Sequence, residues 1–419
     1  MRILVFSLYF QPDPTGTGLI LGELTRDLAK RGHDVTVVTT VTHYGLEGPV
    51  AGYRGRLIFD ETWEDVRVLR TAVPRFARSP RMRRLVTYLA YTLLAIPAGL
   101  RALRPDVVLG LLPPISTGPA VWLVSRLRRA PMVLSVQDVY PDSVFGGGLP
   151  ARLNHALERF VLGRAARLIT LSRGQRDALV ARGVSAERID VVPMWTDLEG
   201  VRPGSRNNPF RTEHGKGAAL VALYAGNLGE LSGVNVLLDA AHLLRNDTRI
   251  RFLIVGRGHG LAELTHRAAR LELPNLSFLP TQPRERLAEM LAAADVGLVT
   301  LDPKLAATSV PSKTFTIMAA GRPVLAAVHP DNEVAQMVVA AQCGVIAPPD
   351  DPVAISAILR AWADDGSPLD AMGSRARSWA ERFHGRGSAV QTHEDILASE
   401  SRSARRQTGP DPLAETRPE

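Results

Sequence analysis

Short runs rich in Val, Ile and Leu alternate along this chain with longer stretches whose apolar positions return every three or four residues. Runs of the first kind suit strands buried on both faces, and stretches of the second kind suit amphipathic helices laid against them. Their regular alternation predicts parallel α/β layers. Strands are predicted at Ile3–Leu8, Val35–Thr39, Val66–Arg70, Val107–Gly110, Met132–Val136, Leu168–Thr170 and Ile189–Val192, with helices between most of them, such as Gly18–Arg31, Leu149–Ala166 and Arg173–Arg182. The segment "PMWTDLEGVRPGSRNNPFRTEHGKGAA" has no apolar period and predicts a linker. A second series follows, with strands at Leu220–Tyr224, Arg251–Val255, Leu276–Leu279, Val296–Leu301, Val324–Ala327 and Val345–Ala347. Its helices are expected at Val234–Leu244, Leu261–Leu271, Arg284–Ala294 and Phe315–Ala320. The polar residues from Ser399 onward predict a disordered tail. The expected organisation is therefore one α/β domain over 1–200, a second over 201–383, a helix over 384–398 and a tail over 399–419. Two such domains in series place ligands in a cleft at the carboxyl ends of their strands.

Composition narrows the function classes. With 419 residues, 45% hydrophobic and 22% charged, the chain has the balance of a soluble globular protein with room for more than one core. The single cysteine, Cys343, excludes an internal disulfide and suits a reducing cytoplasm. "MRILVFSLYF" reads as a buried first strand rather than a signal peptide. The longest nearly uncharged apolar stretch, Leu85–Leu100, is broken by Pro97 and falls short of the roughly 20 residues a bilayer requires.

The net charge of +8 is unevenly spread. Between Val66 and Pro105 there are nine arginines and no Asp or Glu, and the cluster leads into the apolar helix "LVTYLAYTLLAIPAGL". A basic cluster beside an apolar helix suits an anionic membrane surface, with Arg75, Arg78, Arg81, Arg83 and Arg84 as its contacts. The bland alternative is a solvated basic face over a core helix. No zinc-finger spacing or aromatic RNA-binding strand supports a nucleic-acid partner.

Candidate chemistry lies in three glycine-bearing turns and one lysine. Gly16 and Gly18 precede the first helix, where free backbone N–H groups favour anions. They are no dinucleotide finger, because Phe10–Thr15 separate them from the strand and no acidic residue ends "VVTTVTH". "LYAGNLGELSG" and "LIVGRGHGL" put Gly226 and Asn227, then Gly256 and Gly258, at two further strand-to-helix turns. In "TSVPSKTFTIMAAGRP", Ser312 is placed to open a short helix and Gly321 and Pro323 to close it. Lys313 then sits at the end that repels a cation. A bound diphosphate would account for it; the alternative is a lysine that snorkels to the surface.

These motifs, taken together, resemble the family 4 retaining glycosyltransferases, closest to the bacterial branch that builds capsule, O-antigen and colanic-acid-type polysaccharides. "YAGNLG…GVNVLLDAA", "FLIVGRGHGL", "LSFLPTQPRERLAEMLAAADVGLVTL" and "VPSKTFTIMAAGRPVLA" match the nucleotide-sugar half. "YFQPDPTGTG…LTRDLAKRGHDVTVVTT" and "SVQDVYPDS" match the acceptor half. The resemblance implies the GT-B fold, two Rossmann-like doubly wound domains facing across a cleft. It implies a nucleotide-sugar donor, a saccharide or lipid-linked acceptor, and hexosyl or N-acetylhexosaminyl transfer. It also implies retention and independence of metal, with no cofactor beyond the nucleotide diphosphate sugar itself. Two departures stand out. The family's glutamate pair falls on Thr308 and Thr316, and its donor-site Arg and Lys fall on Asn227 and Ser232.

In the implied mechanism Lys313, Gly226, Asn227, Gly256, Gly258 and Ser312 receive the departing diphosphate, and Thr316 a ribose hydroxyl. Gly16, Gly18 and Tyr140 lie on the acceptor side. Asp13 and Asp138 each follow a strand and are candidates to orient or deprotonate an acceptor hydroxyl, or else simply to cap a loop or helix. Competing readings are a nucleotide-sugar 2-epimerase, glycosylation of a small natural product, and a degenerate nucleotide-sugar-binding module.

Overall fold

The first sheet of the computed structural model holds β1 (Arg2–Phe6), β2 (Asp34–Thr40), β3 (Ile58–Trp63), β4 (Val66–Thr71), β5 (Val107–Leu112), β6 (Met132–Val136), β7 (Arg167–Thr170) and β8 (Ile189–Val191). Their order is β3-β4-β2-β1-β5-β6-β7-β8. Every pairing is parallel except β3 on β4 at one edge. The structure describes residues 1–13, 15–42, 52–73, 80–139, 149–303 and 309–408. Helices Gly16–Lys30, Pro80–Arg101, Thr117–Arg128, Leu149–Arg164 and Arg173–Ala181 link the strands. Phe6, Val38, Tyr91, Val108, Val121 and Leu134 form part of a fully buried core, which is why these strands read as unbroken apolar runs. Chain direction across the sheet reverses between β1 and β5, and the loop after β1 opens at that switch point.

The second sheet holds β9 (Leu220–Asn227), β10 (Ile250–Arg257), β11 (Leu276–Leu279), β12 (Val296–Thr300), β13 (Val324–Ala327) and β14 (Gly344–Ala347). It is wholly parallel, in the order β11-β10-β9-β12-β13-β14, with its switch point between β9 and β12. All thirteen predicted strands are present in the two sheets.

The differences have local causes. Strand β3 was not predicted; its residues Ile58–Trp63 mix apolar and charged types because an edge strand is only half covered. The division between the units falls at Val192/Pro193 rather than at 200, and residues return to the first unit from Val390 rather than 384. Thr196 N–H donates to His384 O at 3.0 Å, and the His384 ring bonds Met194 O at 2.8 Å, so the chain just after Pro193 is tied into the second unit. Within the expected linker, Pro209–His214 is a helix with Asn208 as its side-chain cap and Phe210 fully buried. The expected disorder from Ser399 is corrected for residues 399–408, because the helix Arg386–Thr408 runs through them, and residues 409–419 lie outside the described residues. Glu400 pairs with Arg167 and Arg405 with Asp106, and Ser401 is buried.

Candidate functional site

At the switch point of the second sheet three of the predicted segments meet. β9 and β10 run in register, with Gly226 opposite Gly256 and Asn227 opposite Arg257. A Cβ on Gly256 would lie 1.9 Å from Gly226 O, and Gly256 has φ +157°, so only glycine lets the two strand ends approach this closely. A Cβ on Gly258 would lie 2.7 Å from Asn227 Oδ1, which places the Asn227 side chain over the second glycine turn.

The helix Lys313–Ala319 closes the site. Phe315, Ile317 and Met318 are buried, and a Cβ on Gly297 of β12 would lie 2.4 Å from Ile317 Cγ2, so the helix rests directly on that strand. Gly321, at φ +65°, terminates it as the sequence predicts. Ser312 stands at the N-cap position, but its side chain caps nothing and is exposed, which corrects its expected role. Thr316 is half-buried, one turn beyond Lys313, with its hydroxyl donating back to Ser312 O at 3.5 Å.

Lys313 does not snorkel outward. Its side chain lies inward against Gly226: a Cβ there would be 3.0 Å from Lys313 Cε. Nζ donates to Tyr224 Oη at 2.7 Å and stands 3.9 Å from the centre of that ring. Among the described residues no carboxylate pairs with it, and burial pulls its pKa down to about 7. Tyr224, from the middle of β9, is fully buried and donates its own hydroxyl to Asn227 O at 2.8 Å. Sequence reasoning missed Tyr224. The available signal was a single hydroxyl inside the otherwise apolar run "LVALYAG".

The position that a family cation would occupy at Ser232 is closed. Ser232 Oγ donates to Gly229 O at 2.6 Å, and its carbonyl accepts from Thr300 Oγ1 at 2.7 Å. Thr308 lies outside the described residues.

In the first unit, Asp13 follows β1 and is fully buried, its carbonyl accepting from Thr15 N–H at 2.8 Å. The adjacent helix is capped not by Asp13 but by Thr15, whose Oγ1 accepts from Gly18 N–H at 3.0 Å. Gly16 opens that helix with nothing close to its α-carbon face. Asp138, beyond the end of β6, is half-buried. Tyr140 lies outside the described residues.

The arginine cluster is less uniform than its sequence suggests. Arg67 makes a two-pronged pair with Asp60 at 2.6 and 3.1 Å, and Arg70 is buried against Glu61, Gln11 O and Thr40 O. Both carboxylates come from β3. Arg75 and Arg78 lie outside the described residues, as do the side chains of Arg81 and Arg84; Arg83 is exposed. On the same helix Met82, Leu85, Leu89 and Leu93 are each more than half exposed. Their spacing of three and four residues makes one apolar stripe. Among the described residues no helix is long and apolar enough to cross a membrane.

Comparison with known proteins identifies the family. Residues 15–195 match the glycosyl transferase 4-like domain, and residues 207–379 match glycosyl transferases group 1. The chain is 30% identical over 338 residues to the putative colanic acid biosynthesis glycosyl transferase WcaI of Escherichia coli K12, covering 77% of this chain and 82% of that protein. It is 30% identical over 303 residues to the probable glycosyltransferase WbjE of Pseudomonas aeruginosa, covering 68% and 74%. In fold it is similar to Anabaena HepE, solved with UDP-glucose, at a TM-score of 0.74 and 18% identity, covering 95% of this chain and 100% of that one. With two α/β units of the GT-B class, the chain belongs to the group 1, family 4-type glycosyltransferases.

Proposed function

We infer that this glycosyltransferase moves a hexosyl or N-acetylhexosaminyl group from a nucleotide diphosphate sugar to a hydroxyl of a lipid-linked saccharide, in the assembly of a cell-surface polysaccharide. The observation that carries this reading is Lys313, a half-buried ammonium without a carboxylate partner among the described residues, set against Gly226 at the end of β9. Such a charge is costly unless an anion joins it, and a diphosphate is the anion that this chemistry releases.

In the transfer, the bond from sugar C1 to the diphosphate oxygen breaks and its electron pair leaves on the diphosphate. Lys313 meets that developing charge, and the glycine turns let backbone N–H groups approach it. The acceptor oxygen forms the new bond to C1 on the same face, and its proton passes to a carboxylate. Asp138 is the candidate for that base, since Asp13 has no exposed surface to offer an acceptor. Retention and metal independence rest on the family resemblance.

The lipid-linked acceptor is favoured by the apolar stripe Met82, Leu85, Leu89 and Leu93 beside the exposed Arg83, a face suited to an anionic bilayer surface. The polysaccharide part of the reading is supported by the name of one relative, a putative colanic acid biosynthesis glycosyl transferase.

A thermal-shift screen against UDP, GDP, ADP and dTDP tests the donor reading, followed by mass spectrometry of the matching sugar nucleotide with and without a lipid-linked saccharide. Free nucleoside diphosphate together with an extended acceptor is expected. A converted sugar on an intact nucleotide would instead identify an epimerase, and no conversion a binding module.

A further inference from the structure

We propose that Tyr224 is a positioning residue for transfer, its hydroxyl and ring face holding the Lys313 ammonium at the end of β9 where the donor diphosphate binds. This rests on reading Lys313 as the diphosphate contact.

Tyr224 sits at a position where phenylalanine would fill the same space. Its ring is fully buried in the core of the second unit, and a hydroxyl taken there is unfavourable unless it is hydrogen-bonded. It lies between Asn227 O and Lys313 Nζ, with the side-chain hydroxyls of Ser232 and Thr300 also set against it. Its proton goes to Asn227 O at 2.8 Å, which leaves the oxygen lone pairs to accept from Lys313 Nζ at 2.7 Å. Burial raises the phenol's pKa, so the hydroxyl stays protonated and keeps this polarity. The chain Lys313 to Tyr224 to Asn227 O thus ties the helix Lys313–Ala319 to the first glycine turn.

An ammonium has three protons to donate. One is engaged by Tyr224, and the ring face 3.9 Å away adds a neutral attraction for the charge. Two protons remain for phosphate oxygens. Among the described residues, Tyr224 is the titratable group set against Lys313; no carboxylate or second cation acts on it.

The test is calorimetric, on the full chain, with UDP and, independent of the base, inorganic pyrophosphate as probes and uridine as the uncharged control. Tyr224→Phe should weaken UDP and pyrophosphate binding about tenfold, the lower end for a hydrogen bond to a charged group, and leave uridine unchanged. Unchanged uridine binding also reports that the pocket is folded. In wild type the affinity for UDP should fall as pH rises above Lys313's pKa, because the neutral amine loses its charge. Without the hydroxyl acceptor the charged form is less favoured, so in Tyr224→Phe this fall should begin at lower pH. In a Lys313→Ala background Tyr224→Phe should cost nothing more. Wild-type affinity and pH profile in Tyr224→Phe, or losses that add in the double variant, would overturn the proposal for Tyr224 alone. Unchanged UDP and pyrophosphate affinity in Lys313→Ala would overturn the diphosphate reading itself.

Discussion

Replacing Lys313 by methionine keeps the length and volume of the side chain and removes only its charge and hydrogen bond. Two opposite effects follow from the one structure. In the ligand-free protein the ammonium is held in a place that disfavours it: burial takes its pKa from 10.5 to about 7. At about 1.4 kcal/mol per tenfold change in protonation, that difference bounds the cost of keeping the charge there at roughly 5 kcal/mol. Solvent still reaches part of the side chain, so about 1–3 kcal/mol of this bears on folding. Lys313→Met should relieve it. At roughly 2–4 °C per kcal/mol for a unit of this size, the second unit should melt several degrees higher at pH 6.

The pH dependence has a definite sign. The folded value lies below the unfolded one, so between about pH 7 and 10.5 the unfolded chain binds more protons at this lysine than the folded chain. Wild-type stability therefore rises with pH through that window, relative to the variant. The advantage of Lys313→Met should be full below pH 7 and shrink steadily towards pH 10.5. In the liganded protein the order reverses: loss of a charged hydrogen bond of about 1.5–3 kcal/mol should lower nucleoside diphosphate affinity roughly 10- to 100-fold. Melting curves at pH 6 and 9, with and without UDP, read both effects. A variant that melts lower than wild type without ligand, or binds UDP equally well, would refute the reasoning.

Three further outcomes are expected. Asp138→Asn should cut turnover on the order of 100-fold with UDP affinity unchanged, whereas Asp13→Asn should act chiefly on stability, since Asp13 is fully buried; steady-state rates and melting curves for the two variants separate these roles. Replacing Leu85, Leu89 and Leu93 together by Gln should reduce co-sedimentation with phosphatidylglycerol-containing vesicles more than tenfold with the melting temperature preserved, and equal sedimentation would sink the membrane reading. Gly256→Ala puts a methyl 1.9 Å from Gly226 O and should destabilise the second unit by at least about 2 kcal/mol, visible as a lowered melting temperature.

How much of this was legible in the sequence depends on what kind of signal each feature leaves. Strands covered on both faces leave unbroken apolar runs, so β1, β6 or β12 could be read directly from Val, Ile and Leu content. Edge strand β3 leaves no such run, and missing it also hid Asp60 and Glu61, the carboxylates that neutralise Arg67 and Arg70. The arginine cluster looked uniform because its partners lie just outside the acid-free interval. The tail from Ser399 looked disordered because the helix there is held by ion pairs and one buried face rather than by a wide apolar stripe. The two glycine turns that meet at the ends of β9 and β10 were visible from their spacing. The inward turn of Lys313 onto Tyr224 depends on a partner 89 residues away, which no local pattern encodes.

The identity of that partner bears on why the site can work. A carboxylate beside Lys313 would make the buried charge easier to hold, but it would also cancel the charge and repel the diphosphate. Leaving the ammonium with no acceptor would let it neutralise or move away, since an unpaired buried cation is strongly disfavoured. A buried phenol avoids both outcomes: it accepts one hydrogen bond and offers a ring face, yet carries no charge of its own. Its proton, committed to Asn227 O, keeps the oxygen turned towards the lysine. On this reasoning an acidic replacement, Tyr224→Glu, should be worse for diphosphate binding than Tyr224→Phe, although glutamate accepts the stronger hydrogen bond. Calorimetry on the two variants at pH 7 decides it: tighter UDP binding by Tyr224→Glu than by Tyr224→Phe would show that holding Lys313, and not leaving its charge available, is what limits the site.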